Sequence, residues 1–332
     1  VTAMDSVVDL VGYEPPVGGT VVTIGAYDGV HLGHQAVLRL VRDLATARNC
    51  EAVCLTFDRH PAEVVRTATA PKLLTNLEQK LELLAQTGFV DTTCVLTFDE
   101  ERSKEAAEDF VRTVLVEGLG ARLVVVGADF HFGHRRHGKV ELLEQMGAEL
   151  GFEVIGLGLV PVAGDSTGVA YSSTRIRELL GEGNVTGAAR LLGLPARDYE
   201  VRGTVVKGDQ RGRELGYPTA NVAVSDRMCL PADGIYAGYF RCGPSSGAPL
   251  DDGDGIERPC AISLGRRPTF YEDAPVSLLE AFLLDFDDDL YGRNVAVRFV
   301  DRIRGEERFE SSESLIKQMG LDVEETRRLL GP

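Results

Sequence analysis

Residues 25–34 read Gly-Ala-Tyr-Asp-Gly-Val-His-Leu-Gly-His, and this stretch decides how the first half of the chain folds. It follows the apolar run 21–24, which is typical of a buried strand, and it precedes residues 36–41, whose apolar spacing predicts a helix. A glycine-rich turn at a helix N-terminus exposes backbone N–H groups and suits a phosphate. His31 and His34 lie three residues apart, which places both imidazoles on one side of the first helical turn. The stretch therefore predicts a polyphosphate site. The simpler alternative is a tight turn with two surface histidines.

Short apolar runs alternate with helical patterns from residue 21 to about residue 159. The runs cover residues 21–24, 52–57, 93–96, 123–127 and 153–160, and helical patterns cover residues 76–84, about 103–117 (with Ser103 at the start) and 138–150. This rhythm predicts an α/β domain with a Rossmann-like, doubly wound parallel sheet. Ligands of such sheets bind beyond the carboxyl ends of the strands, where the histidine turn lies. Residues 1–16 are interpreted as a short irregular lead-in.

The pattern changes near Tyr199, where alternation with period two and frequent glycine and proline begin. It predicts a small antiparallel β-barrel followed by two helices, with strands at 200–206, 219–224, 234–241, 258–264, 276–284 and 294–303, and helices at 313–319 and 322–330. Residues 243–257 are interpreted as a long mobile hairpin loop without a required role. We therefore predict a first domain at 1–185, a linker at 186–198 and a barrel domain at 199–332.

The chain has 332 residues, which is enough for two domains with full cores. Its shares of hydrophobic residues (44%) and charged residues (26%) are ordinary for a soluble globular protein. A formal net charge of −16 argues against general affinity for nucleic acid or anionic membranes. No apolar stretch approaches the roughly 20 residues of a membrane span, and no signal segment opens the sequence. The six cysteines form no C-x-x-C pair, and we expect free thiols in the cytoplasm. The sequence predicts no oligomeric state.

The histidine turn resembles the HxGH motif of the nucleotidylyltransferase superfamily, in the longer form of the bacterial bifunctional riboflavin kinase/FAD synthetases. Tyr27 stands where that family has Phe. Residues 56–61 resemble its Thr-Phe-x-Pro-His-Pro segment, with Arg59 in place of the first proline, and residues 126–133 are similar to its Val-Gly-x-Asp-Phe-x-Phe-Gly loop. The resemblance implies nucleotide and phosphate contacts by Gly25, Tyr27, Asp28, Gly33, His60 and Asp129, and catalytic roles for His31 and His34.

Residues 171–177, Tyr-Ser-Ser-Thr-Arg-Ile-Arg, form the second phosphate candidate. Ser172 or Ser173 can cap a helix with Arg177 one turn in, which is either an ordinary capped helix or a phosphate clamp. The stretch resembles the same family's Ile-Ser-Ser-Thr-x-Ile-Arg. This resemblance implies that Ser173 and Thr174 hold the phosphates of the nucleotide and that Arg177 takes part in catalysis.

Three histidines at every third position, His131, His134 and His137, invite a metal interpretation. Glycines on both sides disfavour a regular helix, and Arg135 and Arg136 add positive charge that disfavours a divalent cation. A mobile basic loop over phosphates is the favoured alternative to a zinc site.

The barrel half carries two chemical features. Residues 208–221 form a glycine-rich connection into a strand, which is common at barrel corners, and Glu280 is a charged residue inside an apolar run. The first stretch resembles the riboflavin kinase signature Gly-Arg-x-Leu-Gly-x-Pro-Thr-Ala-Asn. The resemblance implies ATP phosphates under Gly208, Gly212 and Gly216, Mg²⁺ held by Thr219 and Asn221, and Glu280 as the catalytic base. Residues 266–270 also match the family, which implies flavin contacts by Arg267 and Thr269.

The resemblance, which covers motifs in both domains, implies a bifunctional enzyme of FAD biosynthesis. One domain phosphorylates riboflavin with ATP to FMN, and the other adenylylates FMN with ATP to FAD and pyrophosphate. The ribityl hydroxyl is a poor nucleophile that benefits from a base, whereas the FMN phosphate is already ionised and needs alignment and charge stabilisation. Two alternatives are an enzyme with one inactive domain and a barrel that stores or senses flavin beside another nucleotidylyltransferase. The intact Pro218–Asn221 segment and Glu280 favour two activities.

Overall fold

The structure is a computed structural model that describes residues 4–162, 170–193, 197–208, 216–250, 255–265 and 278–331. The chain divides into two compact units, Val1–Ser173 and Thr174–Pro332. The sequence places the end of the first domain later, at residue 185, and the assignment of the segment between residues 174 and 198 to a domain stays a prediction. Each unit is described by itself below.

The first unit is built on a six-stranded parallel sheet with the strand order β1-β4-β3-β2-β5-β8. Every residue of the second and fourth strands is buried, because helices cover both faces, and this explains their continuous apolar runs. The sheet confirms the predicted α/β class. Its strands are β1 (Asp5–Val8), β2 (Thr20–Ile24), β3 (Glu51–Phe57), β4 (Thr92–Leu96), β5 (Ala121–Gly127) and β8 (Glu153–Leu157), with a short pair β6 (His131–Phe132) and β7 (Gly138–Lys139) beyond the sheet.

The helices of the first unit follow the strands they connect. They are α1 (Leu32–Arg48), the single turn α2 (Ala62–Val65), α3 (Leu77–Thr87), α4 (Ala107–Phe110) with a π-helical continuation (Val111–Gly118), and α5 (Val140–Leu150). The chain forms β3 and β4 on one side of β2 and then crosses to β5 on the other. The strand order therefore reverses between β2 and β5, and their carboxyl ends open the crevice where ligands of such sheets bind.

Three expectations for the first unit were wrong. The lead-in contains the edge strand β1, which pairs in parallel with β4 although its exposed residues show no apolar alternation. Ser103 does not cap a helix, because its hydroxyl donates to the carbonyl of Glu100 and the helix begins only at Ala107. The helix predicted from residue 138 begins at Val140, because Gly138 pairs with Phe132.

The second unit contains a closed antiparallel barrel with the strand order β10-β13-β12-β11-β14-β9. Tyr236, Phe240 and Phe299 are fully buried inside it. The strands are β9 (Tyr199–Val206), β10 (Ala220–Val224), β11 (Gly234–Ser246), β12 (Arg258–Gly265), β13 (Leu278–Leu283) and β14 (Arg293–Arg304), and the helices are α6 (Ser173–Gly181), which starts at the last residue of the first unit, α7 (Val185–Leu192) and the C-terminal helix (Ser312–Leu330).

Two expectations for the barrel unit also need correction. Residues 243–246 belong to β11, where Ser246 pairs with Arg293, so the hairpin loop starts later than predicted. One continuous helix replaces the two helices predicted at the C-terminus, and Gly320 lies inside it without breaking it. A buried ion pair holds the helix two residues after this glycine, where Asp322 accepts hydrogen bonds from Nε and Nη2 of Arg304 in β14 at 2.8 and 2.7 Å.

We expect Asp322→Ala to loosen the C-terminal helix, because it leaves the Arg304 guanidinium buried without its counter-charge. Breaking a buried ion pair costs about 3 kcal/mol, which corresponds to roughly 100-fold faster amide exchange across residues 312–330 where exchange occurs by helix opening. Hydrogen exchange read by mass spectrometry measures this. Glu325→Ala is the control, because its pair with Arg328 is exposed to solvent and should leave exchange unchanged. Equal protection in both variants would show that the buried pair does not hold the helix.

Candidate functional site

The two histidines of the glycine-rich turn form a stacked pair at the start of α1. His31 is the N-cap residue, and its Nδ1 accepts a hydrogen bond from the backbone N–H of His34 at 3.4 Å. The ring centroids are 3.6 Å apart with an interplanar angle of 19°. His31 is only 4% exposed, so its ring is held rigidly at the carboxyl end of β2. The structure thus brings together the two imidazoles that the spacing singled out.

Glycine at position 33 leaves room for this stack. A Cβ there would lie 3.0 Å from Cβ of Tyr171 and 3.1 Å from Cε1 of His31. Either neighbour would have to move by a few tenths of an ångström. The space that a side chain at this position would need is therefore already filled by the His31 ring and Tyr171.

Asp28 faces the interior of the protein. Its carboxylate is 6% exposed and accepts hydrogen bonds from the backbone N–H groups of Leu74 and Thr75 at 2.9 and 3.1 Å. Its backbone carbonyl accepts a hydrogen bond from the Ser173 hydroxyl at 2.8 Å. Asp28 thus fixes the turn to the segment before α3, and Ser173 contacts the same turn.

Tyr27 is also buried, at 3% exposure, and its hydroxyl lies 2.6 Å from that of Thr23. Burial raises the pKa of its phenol well above the ordinary range, so the side chain stays neutral. The ring packs beneath Gly25 and beside His34, with ring centroids 4.9 Å apart in the second case. A direct contact of Tyr27 or Asp28 with a nucleotide stays a prediction.

Lys80 is a residue of this region that the sequence interpretation missed. It lies on α3, is 7% exposed, and its Nζ is 2.6 Å from the carbonyl oxygen of Phe57 and 3.3 Å from that of Ala26. A signal was present in the sequence, because Lys80 falls on the apolar face of the helix with Leu77 and Leu84. A charged residue on such a face needs a specific partner.

An apolar cleft of about 530 Å³ opens beyond the carboxyl ends of β2, β3 and β5. Its aromatic walls are paired, with Phe57 and Phe98 edge to face at 5.4 Å between centroids and Phe130 stacked on Phe132 at 5.5 Å. His60 lines the cleft, and its Nδ1 accepts a hydrogen bond from the N–H of Ala62 at 3.1 Å. Basic side chains also line the cleft, namely Arg66, Arg102, Lys104, Arg135 and Arg136. The cleft can take a flat aromatic ring system that carries an anionic group.

The remaining predicted residues of the first unit occupy separate positions. Asp129 follows β5 and is exposed. His131 lies beside the Asp129 carbonyl at 2.6 Å from Nδ1, whereas Nδ1 of His134 lies 3.2 Å from the Ser103 carbonyl. Across the described ranges, no three His, Cys, Asp or Glu side chains gather as metal ligands do. Thr174 and Arg177 belong to the second unit, and their roles in adenylyl transfer stay predictions.

Three of the predicted residues of the barrel unit, Thr219, Asn221 and Glu280, meet on the outer face of the barrel. Glu280 of β13 is the direct antiparallel partner of Asn221 in β10, so their side chains share one face, while their neighbours Ala281 and Ala220 point inward. Thr219 lies two residues before Asn221, and its hydroxyl donates to Oε2 of Glu280 at 3.2 Å. Glu280 is therefore not an isolated surface carboxylate but part of a polar cluster with the side chains of Thr219 and Asn221.

Asn221 is 7% exposed, and within the part of the chain that the structure describes its Oδ1 accepts no hydrogen bond. Gly208 covers the amide so closely that a Cβ at that position would lie 2.4 Å from Nδ2. Gly216 has φ = +85°, which favours glycine. Gly212, Arg267 and Thr269 lie outside the described residues. A cleft of about 350 Å³ beside this cluster is lined by Pro218, Thr219, Asn221, Leu290, Tyr291 and the acidic residues 287–289.

Known families match both halves of the chain. A model of the FAD synthetase family matches residues 15–174, and a model of the riboflavin kinase family matches residues 195–330. A bifunctional riboflavin kinase/FMN adenylyltransferase from Escherichia coli K12 is 36% identical over 319 residues, which cover 96% of this chain and 95% of its own. The chain belongs to this bifunctional family. A member of the family from Listeria monocytogenes is 35% identical over 308 residues, covering 92% of this chain and 91% of its own.

A solved structure agrees over the whole length. A Streptococcus pneumoniae protein described as a macrolide-efflux protein superposes with a TM-score of 0.78 and 29% identity, covering 98% of this chain and 99% of its own. Its fold thus supports the architecture of both units. Among the helices of the described residues, none is long and apolar enough to cross a membrane.

We expect Gly208→Ala to reduce FMN formation by about 100-fold, because the added methyl group displaces the Asn221 amide from the cluster and misplacement by about 1 Å has effects of this size. FMN formation from riboflavin and FAD formation from supplied FMN are measured on the same protein. FAD formation should stay unchanged. Gly305→Ala is the control, since a Cβ at that position would lie 3.9 Å from its nearest neighbour, Nη2 of Arg302. Normal FMN formation in Gly208→Ala would mean that the Asn221 amide position does not matter.

Proposed function

We propose that the two reactions of the family are divided between the two clusters described above. The turn at residues 25–34 transfers the adenylyl group to FMN, and the Thr219–Asn221–Glu280 cluster phosphorylates riboflavin. The observation that supports this division most is the polar cluster on the barrel, where a carboxylate and two oxygen ligands meet on one face. Mere flavin storage would need none of them. FAD biosynthesis from riboflavin follows from membership of the family.

For adenylyl transfer, the protein must align two anions and stabilise the charge that develops on the leaving pyrophosphate. The stacked His31 and His34 offer imidazole N–H groups at the start of α1, where the helix dipole also favours negative charge. We propose that the isoalloxazine ring of FMN occupies the apolar cleft and that Gly25, Gly33, His60, Asp129, Ser173 and Thr174 contact the nucleotide or its phosphates. Arg177 would neutralise the leaving pyrophosphate. No proton needs to leave the FMN phosphate, since it is already ionised.

For riboflavin phosphorylation, the terminal ribityl hydroxyl must lose a proton as it attacks the γ-phosphorus of ATP. Glu280 is the proposed acceptor of that proton. Thr219 donates its own hydroxyl proton to Oε2 of Glu280, which orients the carboxylate and leaves the lone pairs of Oγ1 available. The residues outside the described ranges, Gly212 under the phosphates and Arg267 and Thr269 near the flavin, keep their predicted roles.

The oxygen set of the barrel cluster fits a magnesium ion. Asn221 presents a buried carbonyl oxygen that accepts no hydrogen bond from any described residue, and Thr219 presents a hydroxyl oxygen beside it. Such neutral ligands suit Mg²⁺ when phosphates and waters complete its shell. When bound, Mg²⁺ would neutralise the charge of the ATP phosphates. Thr219 and Asn221 would hold it at the edge of the barrel.

We further propose that free small molecules are the partners of this enzyme in the cytoplasm. The net charge of −16 disfavours nucleic acid and anionic membranes. All six cysteines are free, which fits a reducing compartment.

Replacing His31 and His34 together with Ala should reduce FAD formation from supplied FMN by about 10³-fold or more, since removal of one stabilising donor alone costs 10²–10³. FMN formation from riboflavin should be unaffected. Gln86→Ala is the control, because Gln86 is exposed near the C-terminal end of α3. Normal FAD synthesis in the double variant would remove the two histidines from the mechanism.

Glu280→Gln should reduce FMN formation by roughly 10²–10⁴, the usual contribution of a general base, because the amide cannot accept a proton. The glutamine side chain still accepts the Thr219 hydrogen bond, so riboflavin binding should change little. Conversion of supplied FMN to FAD should stay normal, and so should both reactions in the exposed control Glu310→Gln. If Glu280→Gln phosphorylates riboflavin within about threefold of the wild-type rate, far above the expected rate, Glu280 only shapes the barrel.

A further inference from the structure

A buried ammonium group lies directly under the glycine-rich turn. Nζ of Lys80 is within hydrogen-bond distance of three oxygens: the Phe57 carbonyl at 2.6 Å, the Thr56 hydroxyl at 3.2 Å and the Ala26 carbonyl at 3.3 Å. Phe57 is the last residue of β3, and Ala26 lies in the turn that follows β2. One side chain on α3 therefore connects the carboxyl ends of two adjacent strands at the edge where ligands bind.

The three oxygens require the charged form of the lysine. The Thr56 hydroxyl also lies 3.3 Å from the Ala26 carbonyl and donates its proton there, so it accepts from Lys80. Three accepting oxygens need three N–H donors, which an ammonium supplies and a neutral amine does not. Burial lowers the pKa of Lys80, and the carboxylates of Asp28, Asp58 and Glu63 act in the opposite direction.

The segment that carries Lys80 holds the turn at a second point. Leu74 and Thr75, just before α3, donate their backbone N–H groups to the carboxylate of Asp28. Two contacts therefore hold the turn: the Asp28 carboxylate binds the backbone before α3, and the Lys80 ammonium of α3 binds the Ala26 carbonyl. His31 and His34 follow immediately, so their position depends on both contacts.

We propose that Lys80 is a positioning residue for adenylyl transfer. It fixes the carbonyl of Ala26, keeps the stacked His31 and His34 at the height of the substrate phosphates, and contributes a positive charge beneath the turn. This inference rests on the proposed role of the histidine turn. It assigns Lys80 no contact with substrate.

The test is Lys80→Met in the full-length protein, which keeps the length and the apolar stem of the side chain but removes charge and donors. We expect kcat for FAD formation from FMN to fall by about 100-fold, the size expected for a displaced catalytic group, with KM for ATP and FMN nearly unchanged. The imidazole Cε1–H resonances of His31 and His34 should shift, and those of the exposed His137 should not. FMN formation from riboflavin should be normal. Lys139→Met, at an exposed lysine of the same unit, is the matched control.

Thr56→Val provides a second variant that keeps Lys80 and its two carbonyl contacts. It should reduce kcat for FAD formation by about tenfold, the equivalent of one hydrogen bond to a charged group. If Lys80→Met does not fold, Thr56→Val decides alone. Normal kcat in either folded variant, or a rise in KM without a change in kcat, would overturn the inference. The double variant of His31 and His34 separates the two hypotheses, because FAD formation that survives their loss refutes the proposed site itself, whereas survival only in Lys80→Met refutes the role of Lys80.

Discussion

The turn between β2 and α1 holds an unfavourable backbone conformation, and the first unit is arranged to maintain it. Tyr27 has φ = +49° and Val30 has φ = +40°, values in the left-handed region that side chains disfavour, most of all a β-branched one. Each such residue costs of the order of 1–3 kcal/mol and persists only where its surroundings fix it. Here the Tyr27 ring and Val30 are buried in one apolar cluster with Leu38 and Leu84. The hydrogen bonds of Asp28 supply the polar half of that restraint, since they hold the middle of the turn to the segment before α3.

This constraint explains why residues that resemble ligands point inward. A turn that bound phosphate through Asp28 would bring two negative charges together, whereas the observed carboxylate directs its lone pairs to backbone N–H groups below. The upper surface of the turn is then left to imidazoles and the helix dipole. In the barrel, the constraint is the filled interior. Its interior is filled by large side chains such as Tyr236 and Phe299, so polar chemistry is confined to the outer face, where β10 and β13 place Asn221 opposite Glu280.

The sequence predicted elements well wherever one local pattern controls them. Buried parallel strands such as β2 are continuous apolar runs, and Glu280 stood out because it is a charged residue inside the apolar run of β13. It failed where a distant partner decides. The strand β1 forms along the edge of β4, and the C-terminal helix is held at Asp322 by Arg304 of the barrel strand β14. Lys80 was missed for the same reason, because its acceptor oxygens lie at the end of β3 and in the turn after β2, away from α3 in the sequence.

The two clefts face the same electrostatic difficulty and differ in how they meet it. The protein carries a net charge of −16, yet every substrate of the proposed reactions except riboflavin is an anion. In the first unit, Arg66, Arg135 and Arg136 line the cleft and supply positive charge permanently. The described lining of the barrel cleft instead includes the acidic residues 287–289 and the neutral ligands Thr219 and Asn221. A divalent cation bound together with ATP would offset the negative charge of residues 287–289, whereas the basic side chains of the first cleft offset phosphate charge without a metal.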